Sequence, residues 1–248
     1  YLITANEGDS RTDWPGYNEE ARISSLKLDP TAFPDLNGNG KADIVDAIGR
    51  LTVSVATGDT DGDGDYDQLH VFGGRSFSVW TTDGEQVFDS GNTLDTLIAT
   101  YFPGSYDENR DDNKGVEPET IKIGQIGGDT YVFVALERAD GVAAFRMDGP
   151  DDFTFTGFYT SAGDDAPEVI TFIPAESSPT GEAMIVAPNE GSATTSAYTL
   201  NATFKLQILS YYGESGLLGV DTAPIMGALI DKFDDEYANT LVLGEGDC

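Results

Sequence analysis

Tyr131-Val132-Phe133-Val134-Ala135-Leu136-Glu137 is answered 53 residues later by Met184-Ile185-Val186-Ala187-Pro188-Asn189-Glu190, so one unit is written at least twice. Ahead of these runs stand Pro118-Glu119-Thr120-Ile121 and Pro167-Glu168-Val169-Ile170, 49 residues apart, and an aromatic residue follows each closing glutamate by eight positions, Phe145 and Tyr198. The opening Leu2-Ile3-Thr4-Ala5-Asn6-Glu7-Gly8 matches Ile185 to Gly191 and reads as a third, truncated copy. A repeat of about 50 residues, built from short strands and turns, is the mark of propeller blades. The unbroken apolar runs fit strands covered on both faces by neighbouring sheets. The expected fold is therefore mainly β, a partial β-propeller over 1–203 holding about four blades of a larger ring. Such a ring is either completed by residues outside this chain or left open with an exposed edge.

Between the copies, Arg22 to Leu28 and the second half of Ile48 to Val55 read as strands. His70-Val71-Phe72, Ser76 to Trp80 and Gln86 to Phe88 read as a hairpin around Gly73-Gly74 and Asp83-Gly84. Leu94, Leu97, Ile98 and Tyr101 fall at i, i+3, i+4 and i+7, which predicts a short amphipathic helix before Pro103.

Two stretches inserted among these strands share the pattern Asp-x-Asp/Asn-x-Asp/Asn-Gly-x-x-Asp: Asp35 to Asp43 and Asp59 to Asp67. The pattern sets oxygen ligands at positions 1, 3, 5 and 9, a backbone carbonyl at 7 and a sharply turning glycine at 6. The candidate calcium ligands are Asp35, Asn37, Asn39, Lys41 through its carbonyl, Asp43 and Asp46 in the loop 35–46. In the loop 59–67 they are Asp59, Asp61, Asp63, Asp65 and Asp67. Five carboxylates within nine residues repel one another unless a hard cation sits among them, and Ca²⁺ takes six to eight oxygens in a flexible shell. Neither loop has the glutamate of an EF-hand at position 12, where Asp46 and His70 stand. Asp46 makes the first loop dockerin-like, and the apolar residues after the second liken it to the cation loops of integrin-type blades. The same residue types also suit solvated Asx turns of an acidic protein. No nucleophile or basic cluster adjoins either loop, so calcium is expected to be structural and no catalytic residue is assigned.

The 248 residues are 39% apolar, enough for a sizeable core, and carry 13 basic against 44 acidic side chains for a net charge of −31. That balance argues against nucleic acid or an anionic membrane as partner and for a calcium-rich or saline setting outside the cell. Cys248 is the sole cysteine, so no intrachain disulfide forms. No apolar run approaches a membrane span and no signal peptide is legible. Tyr1 to Ala5 already reads as mid-strand, and the chain is expected to be an internal or processed piece of a longer protein. Glutamates recur at strand ends (Glu7, Glu119, Glu137, Glu168, Glu190) and either converge on a central channel to bind a cation or polar ligand, or pair with Arg138 and Lys122.

Ala5 to Asp9, Asn18 to Arg22, Gly58 to Asp67, Gly73 to Trp80, Gln86 to Gly91 and Lys114 to Glu119 together resemble the choice-of-anchor I family over about residues 1–200. That family comprises secreted bacterial β-propeller proteins, many labelled alkaline phosphatase-like or compared with mesenchyme-specific cell-surface glycoproteins. The resemblance implies an extracellular or surface-attached propeller whose preceding blades lie outside this chain; the expected partners are calcium ions and other copies or surface components of the same cell, with no direct membrane insertion. Residues 204–248 read as strand 204–209, helix 222–237 and strand 239–243, and are similar to the start of the metallophosphoesterase domain of secreted 5′-nucleotidases. Of that family's first ligand motifs, Gly213-x-Ser215 lacks metal-binding side chains, and Asp247 matches the second but is followed by Cys248. Three functions follow. The first is a non-catalytic, calcium-stiffened binding or assembly module. The second is the propeller part of a secreted metal-dependent phosphatase or nucleotidase. The third is a phytase-like channel using Glu117 or Glu119, which the shortage of cationic groups near those carboxylates disfavours.

Overall fold

The computed structural model describes residues 1–200 in full and the backbone of 207–212 and 240–245. The chain divides into two compact units, Tyr1–Thr199 and Leu200–Cys248. In the first, strands β1 (Leu2–Ala5), β2 (Glu20–Arg22), β3 (Thr52–Ser54), β4 (Phe77–Trp80), β5 (Gln86–Asp89), β6 (Pro118–Ile126), β7 (Asp129–Leu136), β8 (Gly141–Gly149), β9 (Asp152–Tyr159), β10 (Thr171–Ile173), β11 (Ala183–Asn189) and β12 (Thr194–Leu200) are joined by helices α1 (Asp43–Ile48) and α2 (Thr93–Tyr101). They form four antiparallel sheets: β1-β4-β5, β2-β3, β6-β7-β8-β9 and β10-β11-β12.

The repeat is structural down to its hydrogen bonds. Pro118 pairs with Leu136 as Pro167 pairs with Asn189. Glu137 N–H donates to Glu117 O at 2.9 Å, and Glu190 N–H donates to Ala166 O at 2.8 Å. Glu117 (φ 49°) and Ala166 (φ 58°) are both left-handed, and both precede proline, where helical backbone is disfavoured. Three residues after each closing glutamate, Asp140 (φ 55°) and Ala193 (φ 53°) repeat the left-handed turn. The truncated copy fits the same frame, because β1 pairs with β4 as β7 pairs with β8. Its Asn6 side chain donates to Ser76 and Ser78 on the next strand, and Asn189 likewise donates to Thr194 and Ser196.

The arithmetic of about four blades over 1–203 does not translate into four equal sheets. Residues between Ala5 and Phe77 do not make a blade of their own: they form a long insertion between the paired strands β1 and β4, containing the two-stranded β2-β3 and both acidic loops. The strand expected over 22–28 ends at Arg22, where Ile23 turns inward, is fully buried and opens a 3-10 turn closed by Leu26 N–H on its carbonyl. Residues 70–72 lie outside regular strand, and the end of the first loop, from Asp43, is already helical as α1, an element not expected from the sequence. α2 forms where its apolar spacing predicts, burying Leu94 and Ile98 and leaving Tyr101 exposed.

One core joins the sheets β1-β4-β5 and β6-β7-β8-β9 with α2, through Phe77, Leu94, Ile98, Val116, Val132, Val134 and Phe145. Phe77 is its hub, with ring centroids 5.6 Å from Phe88, 5.3 Å from Phe145 and 5.1 Å from Phe153. The sheet β10-β11-β12 leans on β6-β7-β8-β9 through Phe172, stacked 5.8 Å from Phe133, and its ring fills the place a Cβ would need at Gly124. In the second unit, β13 (Gln207–Tyr212) and β14 (Thr240–Glu245) pair in parallel, Gln207 opposite Thr240. The helix expected over 222–237, and Gly213, Ser215 and Asp247, lie outside the described residues.

Phe77→Ala removes a fully buried ring shared by two sheets. It is expected to cost about 3–5 kcal/mol in urea denaturation, the range for a buried aromatic cut to alanine. A loss below about 1 kcal/mol contradicts the shared core.

Candidate functional site

The strand ends of the repeat bring a carboxylate-rich centre together. Glu7 follows β1, Glu117 and Glu119 flank the start of β6, Glu137 follows β7, and Glu168 precedes β10. Backbone contact sets Glu7 in place: Gly8 and Gly73 pass so close that a Cβ on Gly73 would meet the Glu7 carbonyl at 1.7 Å. Glu7, Glu117 and Glu119 each bring an oxygen within 4.8 Å of the others. Thr120 Oγ1 donates to Glu168 O at 2.5 Å and so ties β6 to the strand end beside it.

Three cations serve this centre. Glu117, with no solvent exposure, accepts from Arg110 and lies 3.3 Å from Lys114 Nζ and 3.5 Å from Arg138 Nε. Lys114 Nζ also donates to Glu7 at 2.6 Å, and Arg138 lies 2.7 Å from Glu137. Burial opposes the charge on Glu117, but the hydrogen bond from Glu137, then Arg110 and Lys114, outweigh it and hold its carboxyl below the ordinary range. Its neighbours move the other way. Burial, then the hydrogen bond to Glu117, lifts Glu137 to about 8, and burial, then the charge of Glu7, lifts Glu119 to about 7. Glu168 is raised by burial, then by Glu190 and Glu7. The centre is a proton-sharing carboxylate cluster in which Lys114 already sits between two of the metal-spaced carboxylates. Among the described residues, the three cations of the centre are all paired with its carboxylates.

Glu7, Glu119, Glu137, Glu168 and Glu190 lie close enough to act on one another, and the expected pairing with Arg138 is made by Glu137. Lys122 is not their cation, because it is exposed along β6, and Lys114 takes that place. The i, i+3 spacing of Lys114 and Glu117 was the available signal.

Each acidic loop folds around its first aspartate. Gly38 N–H and Gly40 N–H donate to Asp35 at 2.7 Å each, and Gly62 N–H and Gly64 N–H donate to Asp59 at 2.7 and 3.0 Å. These glycines have φ of 75°, 87°, 79° and 92°, so the turn the pattern demands occurs in both loops. In 35–46, Asn37 and Asn39 donate to Asp46 at 3.1 and 2.5 Å, which draws the twelfth position against the third and fifth and holds the Asp46 carboxyl low. Asp43 accepts from Leu36 N–H and Asn37 N–H at the start of α1, and Lys41 N–H donates to Asn39. In 59–67, Asp59, Asp61 and Asp67 bring oxygens within 4.8 Å of one another, Asp63 accepts from Asp65 N–H, and Asp67 is held low by the Thr60 N–H and hydroxyl. Asp65 differs from its fellows: its side chain is 9% exposed and lies 3.0 Å from Lys27 Nζ. The loop is clamped to residues 27–29 by Tyr66 N–H on Lys27 O at 2.9 Å and Asp29 N–H on Tyr66 O at 3.0 Å.

Glu119 and Glu137 bind protons more tightly in the folded than in the unfolded chain. Their contribution is complete below about 4.3, the unfolded carboxyl value, and disappears as pH climbs through 7 and 8. The melting temperature is expected to fall between pH 5 and 8.5, and Glu137→Gln, which mimics the protonated acid, to flatten that fall. An equally steep profile in the variant contradicts the shared proton.

Gigasin-3a from Magallana gigas is 26% identical over 182 residues, which cover 61% of this chain and 64% of that protein. The match thus spans less than two thirds of that relative. No solved structure matches. The family model described as the choice-of-anchor I domain matches residues 1–150, more than half of the sequence, and the chain belongs to that family.

Proposed function

We propose that the chain is a calcium-binding, propeller-type module of a secreted or surface-attached protein, and that it works by binding or assembly, not by catalysis. The observation that carries this is the loop 59–67, which gathers Asp59, Asp61 and Asp67 oxygens within 4.8 Å on a turn made by two left-handed glycines. An all-oxygen, mostly anionic and exposed donor set suits Ca²⁺ better than a transition metal. The loop 35–46 supports a second ion through Asp35, Asn37, Asn39, the Lys41 carbonyl, Asp43 and Asp46. Family membership supports the surface or secreted location. The repeated hydrogen-bond frame supports the blade assignment, with β6 and β10 as equivalent strands. Other copies of the protein, or components of the same cell surface, are the proposed partners.

The parallel pairing of β13 with β14 favours a second function. Parallel neighbours require a crossover connection, as at the start of an α/β domain, and a phosphatase or nucleotidase domain would begin so.

Chelation is the direct test. EDTA is expected to lower the melting temperature of calcium-loaded protein by several degrees, because an ion bound only by the folded state stabilises it by mass action. Asp59→Asn combined with Asp61→Asn is expected to remove most of that shift, and an unchanged melting curve overturns calcium binding. p-Nitrophenyl phosphate should not be turned over by this chain with or without calcium, and metal-dependent turnover would replace the binding function by the hydrolytic one.

A further inference from the structure

The loop pattern treats position 7 as a backbone ligand, so the side chain of Asp65 has no part in it. The fold gives that side chain a place of its own. Asp65 is buried, and its Oδ1 has no hydrogen-bond donor at all, an arrangement that costs free energy for a carboxylate oxygen out of water. Its Oδ2 is held by Lys27, whose own side chain is 69% exposed and free to swing into solvent. Opposite stands Asp29, outside both loops, brought there by the parallel bridge between Leu28 and Tyr66. Asp29, Asp65 and Asp67 each bring an oxygen within 4.8 Å of the others. Asp67 belongs as well to the triad of Asp59 and Asp61. Two three-carboxylate groups therefore abut and share one residue.

We infer that Asp29, Asp65 and Asp67 form a second divalent-cation site, adjacent to the loop ion and linked to it through Asp67, with Lys27 as the resident counter-charge that the ion displaces. The inference rests on calcium binding at 59–67 and extends it. A hard cation supplies what the orphaned Asp65 Oδ1 lacks, and the carboxylates of Asp29 and Asp67 make the site anionic enough to draw it from solution. The consequence is structural: the ion fastens residues 27–29 to the loop, so two distant parts of the insertion are closed by metal and not by the backbone clamp alone. Lys27 keeps the site neutralised when calcium is scarce.

Isothermal titration of the metal-stripped full chain with CaCl₂ tests this, using three variants. Asp29→Asn keeps the Oδ1 acceptor for Thr31 N–H and Ala32 N–H while removing the charge. It is expected to bind one calcium fewer than wild type, and Asp59→Asn to lose the ion of the loop 59–67 instead. Lys27→Met leaves every carboxylate in place and is expected to tighten one site about threefold, the effect of removing an exposed competing ion pair. If Asp59→Asn loses an ion while Asp29→Asn and Lys27→Met leave number and affinity unchanged, the second site is overturned and the loop site stands. If wild type binds no calcium, both are overturned. Should Asp29→Asn fail to fold, Lys27→Met in the Asp59→Asn background decides, because Lys27 also faces Asp59 and Asp63 of the loop site: a site that tightens there supports the inference and none tightening overturns it.

Discussion

A carboxylate without solvent exposure organises the middle of this protein. Glu117 cannot keep its charge in the interior without partners, and three cations, from Arg110, Lys114 and Arg138, are drawn around it. Two of them come from the polar loop before β6 and one from the turn after β7. Residues that would otherwise be solvated connections are thereby folded onto the strand ends. The same loop reaches the insertion, where Asp112 accepts from Arg22 at 2.7 Å and Arg50 at 2.5 Å, and Thr52 N–H donates to the Asp112 carbonyl at 2.9 Å. It reaches β4 as well, through Arg75, which donates to Asp111 O and Asn113 O.

The price of gathering so many acids is met by protons. Glu7, Glu117 and Glu137 pair with the three cations, and burial with acidic neighbours raises Glu119, Glu137 and Glu168 above the ordinary carboxyl range. The second copy of the repeat shows that this electrostatic arrangement is separable from the backbone. Ala166 occupies the place of Glu117, with the same left-handed φ and the same hydrogen bond from the following strand, yet carries no charge. Backbone geometry is thus the property of the repeat, whereas the buried anion belongs to one copy. Strained left-handed residues before proline are tolerated in both because the flanking pairings over-determine them.

The insertion between β1 and β4 has a different problem. Its two short strands and exposed loops bury little, and its ends are held by Gly8 against Gly73 and by Asn6, whose amide joins Ser76 and Ser78. Closing so long a segment costs chain entropy that its small apolar content barely offsets. Ions at the acidic loops would brace it from outside, much as the sheets are braced by Phe77 from within.

Much of this was legible in the residues. The copies at 118–137 and 167–190 were visible as words because each carries an apolar strand, β7 or β11, followed directly by a glutamate, and α2 was visible because one face of a helix must be apolar. The glycines of the acidic loops announced their turns because few other residues adopt positive φ. Sequence also showed the glutamates recurring, but not which cation would meet them: Lys114 and Lys122 are chemically alike, and only the turn of the polar loop carries one inward while β6 points the other to solvent. Nor could spacing reveal that residues 6–76 interrupt a sheet, since the partners β1 and β4 lie far apart in the chain. Asp29 beside Asp65 has the same cause. Local pattern fixes local conformation, while the meeting of distant carboxylates depends on a bridge between backbones that no repeat or motif records.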